Sequence, residues 1–134
     1  MRFMMLLKAG EELQAGTAPG TELMVAMGKY NEALASAGVL LEAGGLHPSA
    51  SGARVDFSGG TRTVSEGPFA DAGDRVAGFW MLQVTSKDEA IEWAKRCPHP
   101  RGVVHTQIEI RRVVEPAEFP IATVSWSLGT SDGG

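Results

Sequence analysis

An α+β domain is predicted by three observations. Two segments carry apolar residues at helical spacing, several others run apolar or alternate as strands do, and the two kinds interleave along 134 residues. That length fits one domain able to bury its own core. Hydrophobic residues make up 43% and charged residues 21%, so the chain is neither a disordered tail nor a membrane protein by composition. The net charge is −4, and no Lys/Arg cluster exceeds Arg111-Arg112. That excludes the electrostatic footprint of a nucleic-acid binder and argues against adhesion to anionic membranes. Cys97 is the lone cysteine, so no intrachain disulfide forms, and a reducing cytoplasm is the expected location. The opening MRFMMLLKAGEE has an apolar run only from Phe3 to Leu7, with no small-residue cleavage site after a longer run. It reads as a strand and not as a leader, and no stretch approaches the ~18 apolar residues of a membrane span.

Arg2 to Lys8, short, apolar and flanked by charges, suits a central strand buried on both faces. Gly10 to Gly20 is a loop. Thr21 to Ala37 is the clearest helix: Thr21 caps it, Glu22 suits its positive end, and Leu23, Met27, Tyr30, Leu34 and Ala37 form one stripe. Gly38 ends it. Gly28 inside the helix costs about 1 kcal/mol against Ala and is expected to mark close packing against another backbone. Val39 to Leu41 opens a strand that Gly44-Gly45 interrupt, and Leu46-His47-Pro48 is extended. Ala53, Val55 and Phe57 alternate with Arg54 and Asp56 as a half-buried strand, Ser58-Gly59-Gly60 turns, and Thr61 to Val64 returns. Val76 to Thr85 is a strand with Phe79 and Trp80 on opposite faces. Ser86 to Cys97 is a helix opened by the capping box of Ser86 and Glu89, buried along Ala90, Ile91, Ala94 and Cys97, and stopped by Pro98. After a loop from Pro98 to Gly102, Val104 to Val113 is a strand with Ile108 and Ile110 on one face and Gln107, Glu109 and Arg111 on the other. Glu115 to Pro120 turns, Ile121 to Leu128 adds a strand or an arm, and the TSDGG end is mobile.

The order is therefore β-α-β-β-β-α-β, a ferredoxin-like arrangement with both helices on one face of an antiparallel sheet. The other face, carrying Phe79 or Trp80, needs a cover, and a second copy supplies it. A homodimer with two sheets face to face is expected.

Several stretches carry a resemblance: M-x-L-L at Met4 to Leu7, Y-N-E-A-L-A-S-A-G at Tyr30 to Gly38, G-G-L-H-P at Gly44 to Pro48, and E-G-P-F-A-D at Glu66 to Asp71. G-F-W at Gly78 to Trp80, D-E-A-I-E-W-A-K-R-C-P at Asp88 to Pro98 and I-E-I-R at Ile108 to Arg111 complete it. The ordered set resembles the YCII-related family, in the branch named for its D-G-P-F-A-E-x-K-E motif. The likeness runs from about Arg2 to Phe119, giving a family domain over residues 1–120 and a C-terminal arm and tail over 121–134. It implies a ferredoxin-like fold paired as a dimeric α+β barrel. It implies little about activity: related barrels include small monooxygenases and isomerases, and genes of the branch often neighbour those of extracytoplasmic-function sigma factors. Here Glu66 replaces the motif's first Asp, Asp71 its Glu, Gly73 its Lys and Asp74 its final Glu. The missing lysine removes any step that needs an ammonium there.

Among candidate residues, Glu66 and Asp71 flank the Gly67-Pro68 corner. A carboxylate held there serves either as a general acid or base or as an acceptor for backbone N–H groups in a tight turn. His47, near a strand end, is either an acid–base partner or an exposed loop histidine, and members of the wider family have a proposed His–Asp pair. Arg54 is a candidate to hold an anion or to form a cross-strand ion pair with Asp56 or Glu109. Phe69 and Trp80 are candidate walls, and Tyr30 packs with its hydroxyl at the rim. Cys97, His99 and His105 match no common zinc spacing, so no metal and no cofactor is expected; Cys97 reads as a small buried hydrophobe or a nucleophile beside His99. No P-loop and no G-x-S-x-G elbow is present. Two functions follow: a small-molecule site with acid–base groups, or a regulatory module acting on a protein partner such as a sigma factor.

Overall fold

The computed structural model describes residues 1–8, 21–69, 76–99 and 106–118. Within them the chain forms β1 (Arg2–Lys8), α1 (Thr21–Ser36), β2 (Leu40–Gly45), β3 (Ala53–Asp56), β4 (Thr63–Glu66), β5 (Val76–Gln83), α2 (Lys87–Lys95) and β6 (Gln107–Arg112). The loop over 10–20, the segment 121–128 and the tail lie outside the described residues.

The order among the described residues is β-α-β-β-β-β-α-β, one strand more than the sequence reading. The strand that the count gains is β2, expected only as an interrupted start over Val39 to Leu41. Gly44 and Gly45 do not interrupt it but pair with Phe79 and Gly78 of β5. A Cβ on Gly44 would lie 3.0 Å from Phe79 Cε1, so the missing side chain is what lets that ring approach.

β2, β5, β1 and β6 form one antiparallel sheet in that order, with β1 paired along its length to β5 and β6. Alternation sorts the faces. Phe3 and Met5 of β1 and Gly78, Trp80 and Leu82 of β5 are buried. With Tyr30 and Leu34 of α1 and Ala90 of α2 they form the core, and Ile108 and Ile110 pack against it. Met4, Leu6, Phe79 and Met81 alternate to the opposite face and are only half-buried. Beside them Lys8 Nζ donates to Glu109 at 3.1 Å and Arg111 to the same carboxylate at 3.2 Å. Those bonds, Lys8 first, hold the Glu109 carboxyl below its usual range.

Helix ends follow local chemistry. Gly38 takes a φ of +75° just beyond α1, and Val39 N–H closes the last turn on the Leu34 carbonyl. Ser86 caps α2 by accepting from Glu89 N–H at 3.1 Å. The reciprocal bond falls one residue earlier than in the expected box: the Glu89 carboxylate accepts from Thr85 N–H at 2.9 Å, which lowers its pKa.

β3 and β4 make a separate hairpin. Its turn is the Ser58–Gly60 segment, with positive φ at Gly59 and Gly60. β4 begins two residues later than expected, so Glu66 lies inside the strand, opposite Ala53. Every residue of both strands is exposed, which corrects the expectation of a half-buried strand. Among the described residues no helix is long and apolar enough to cross a membrane.

Candidate functional site

Four glycines, Gly28, Gly44, Gly45 and Gly78, border a cleft of about 630 Å³ between α1 and one end of the sheet. Gly28 sits on α1, while Gly45 of β2 and Gly78 of β5 are cross-strand partners. A Cβ built on Gly28 or Gly45 meets nothing within 4 Å among the described residues. The expected backbone packing at Gly28 is therefore corrected: among the described residues no backbone approaches that glycine. Leu23, Met27, Leu46 and Trp80 give the cleft apolar walls, and Asn31, His47 and Thr106 are its polar groups. No Asp, Glu, Lys or Arg lines it among the described residues.

Trp80 is held from two sides. Its Nε1–H donates to Asn31 Oδ1 at 2.7 Å, and its ring meets Tyr30 edge-on with centroids 5.7 Å apart. Tyr30 is 5% exposed and donates its hydroxyl to the Trp93 carbonyl at 2.7 Å. Burial pushes the phenol pKa up. Its hydroxyl thus ties α1 to α2 behind Trp80 instead of standing at the rim. Thr106 Oγ1 is buried and finds no hydrogen-bond partner among the described residues. His47 is exposed at the cleft mouth.

The remaining sequence candidates lie elsewhere. Arg54 places its guanidinium 4.0 Å from the Phe69 ring centre, and Asp56 accepts from Ser58 N–H at 2.8 Å. Neither Glu66, Arg54 nor Phe69 lines the cleft; all three belong to the hairpin and its base. There Gly67 N–H donates to the Gly52 carbonyl at 3.0 Å, and Phe69 N–H to Ser49 Oγ at 3.4 Å. A Cβ on Gly67 would overlap the Ser49 carbonyl. The Glu66 to Phe69 corner is a tight clasp on the Ser49–Ser51 turn, while Asp71 and Asp74 lie outside the described residues. Cys97 is half-buried, and burial pushes its thiol up to about 11. His99 is exposed and His105 is outside the described residues. No group of three or more His, Cys, Asp or Glu converges among the residues described.

Residues 1–115 match the model of the YCII-related domain. The chain belongs to the YCII-related family. An uncharacterised protein of Rhizobium meliloti (strain 1021) is 32% identical over 74 residues, which cover 55% of this chain and 56% of that relative. This YCII-related chain thus spans little more than half the length of the curated relative it matches.

Of the candidates read from sequence, the YCII-related domain brings His47 and Trp80 to the cleft, with Tyr30 behind. Asn31 and Thr106 were missed. Asn31 had a signal, since it falls four residues after Met27 on the stripe of α1, a polar residue on an otherwise apolar face. Thr106 had none. Chemically, the cleft offers apolar contact area, an amide and a hydroxyl, and one imidazole at its edge.

Proposed function

We propose that this YCII-related protein binds a small, largely apolar molecule in the glycine-bordered cleft, and does so as a homodimer of the dimeric α+β barrel type. The observation that carries the reading is the cleft itself: open space at Gly28 and Gly45 beside the fixed indole of Trp80. His47 is the group available for acid–base work at its mouth. The strand order β2-β5-β1-β6, with β1 and β5 central, supports a ferredoxin-like fold into which the hairpin is inserted. The E-G-P-F-A-D stretch supports the D-G-P-F motif branch. Apolar Met4, Leu6, Phe79 and Met81 on the sheet face away from the core support the second copy.

Substituting Gly28→Leu fills the cleft. Leu is favoured over Gly within a helix by up to about 1 kcal/mol, so the variant is expected to be at least as stable as wild type. It should bind a neutral apolar fluorophore such as N-phenyl-1-naphthylamine at least tenfold more weakly. Equal binding by both proteins rules the cleft out.

The exposed hairpin favours a second reading, a module for a protein partner such as an extracytoplasmic-function sigma factor. Val55, Phe57 and Val64 are 50%, 64% and 62% exposed, an apolar patch on which Arg62 places its guanidinium 5.2 Å from the Phe57 ring centre. On that reading Val55→Lys abolishes partner binding and Gly28→Leu leaves it unchanged.

A further inference from the structure

Resting on the reading of the cleft as a small-molecule site, we infer that its ligand is uncharged and presents a carbonyl oxygen beside an apolar body, received by the side-chain amide of Asn31. Three observations carry this. An indole N–H only donates, so the Asn31 atom 2.7 Å from Trp80 Nε1 is its oxygen. The amide is thereby oriented, and its NH2 end is the donor left for the cleft that Asn31 lines. Among the described residues Asn31 spends only its oxygen on the protein.

Thr106 provides the second observation. Its buried hydroxyl has no partner among the described residues, and it belongs to the same cleft wall. A buried polar group left unpaired is unfavourable, and a ligand acceptor relieves it. A carbonyl oxygen has two lone pairs, so it accepts from the Asn31 amide and keeps one for a second donor.

The third observation is the missing charge. No described side chain lining the cleft is acidic or is a lysine or arginine, and His47 stands exposed at the mouth. A carboxylate, phosphate or ammonium drawn into these walls would lose its water without gaining a counter-charge. A ketone, ester, amide or lactone carried on an aromatic or aliphatic body fits both the walls and the donors.

The test compares acetophenone with ethylbenzene, which share a skeleton and differ in the carbonyl, with benzoate and benzylammonium as charged controls, by titration at pH 8. Asn31→Asp keeps an oxygen for Trp80 and replaces the donor end by a second oxygen. Wild type is expected to bind acetophenone at least tenfold more tightly than the other three probes. Asn31→Asp should lose at least tenfold for acetophenone and nothing for ethylbenzene. Thr106→Val, nearly the same shape, keeps the inference testable should Asn31→Asp misfold; it should lose at least threefold for acetophenone alone. Equal affinity for acetophenone and ethylbenzene in wild type overturns the carbonyl inference and leaves the cleft reading standing. Tighter binding of benzoate or benzylammonium also overturns it. Failure of every probe to bind, with Gly28→Leu indistinguishable from wild type toward the neutral fluorophore, overturns both.

Discussion

Cys97 carries its proton more tightly in the fold than outside it, because burial penalises the thiolate and raises the pKa from 9.0 to about 11. The sign of the linkage follows. The folded state binds the proton more strongly, so the stability associated with this group is present in full below pH 9.0 and is lost as the pH rises through about 11. Reactivity follows the same shift. At pH 8 the thiolate fraction is about a hundredfold lower than for an unperturbed thiol, and alkylation by iodoacetamide is expected to be slower by roughly that factor. A rate matching that of a small cysteine peptide would show an activated nucleophile instead. The helical stripe of Ala90, Ala94 and Cys97 already placed this residue toward the core, and its packing against the buried cluster agrees. The choice between buried hydrophobe and nucleophile was not legible, since it depends on how much water reaches the sulfur.

At the scale of elements, the β3–β4 hairpin is clasped at its base. An isolated two-stranded hairpin is marginal in water, and every residue of these two strands is exposed. What fixes the hairpin to its base is the Gly67 N–H bond to Gly52 and the close approach of Gly67 to the Ser49 carbonyl. Gly67→Ala forces the backbone apart there and should cost about 1–3 kcal/mol in urea unfolding. Glu66→Gln, on an exposed strand residue, should change stability by less than about 0.5 kcal/mol. The reverse ranking would make Glu66 the anchor and the glycine incidental. The Gly67-Pro68 corner was visible in the sequence as a turn that locks or a site that reacts. The structure shows the clasp, made by the Gly67 backbone and not by a carboxylate; its contact partner, the Ser49 carbonyl, is far along the chain and carries no sequence signature.

For the molecule as a whole, the sheet face opposite the helices sets the expected assembly. Met4, Leu6, Phe79 and Met81 are only half-buried by the chain's own atoms, and two such faces pack about 10 Å apart in a sheet-on-sheet layer. Wild type should sediment at twice the chain mass. Met81→Glu buries an unpaired carboxylate in that layer and should give a folded monomer. A monomeric wild type would remove the homodimer from the proposal. The Lys8–Glu109–Arg111 cluster, at 3.1 and 3.2 Å, then becomes a surface network of little energetic weight.

Periodicity, caps and turn residues are local, and so α1, α2, β1 and β5 could be read within a few residues of their ends, as could Gly38 as the stop of α1 and the opposite facing of Phe79 and Trp80. Membership of the YCII-related family was legible for the same reason: ordered short motifs survive in one dimension. Of β2 only the start at Val39 to Leu41 was legible, because two glycines in a row are read locally as a break, although pairing with β5 overrides that preference. The cleft escaped for a deeper reason. It is bordered by Gly28 and Gly45, whose missing side chains leave room there, and the two are brought around one space only when the helix packs on the sheet. An absent side chain leaves no pattern along the chain, and a void has no sequence period.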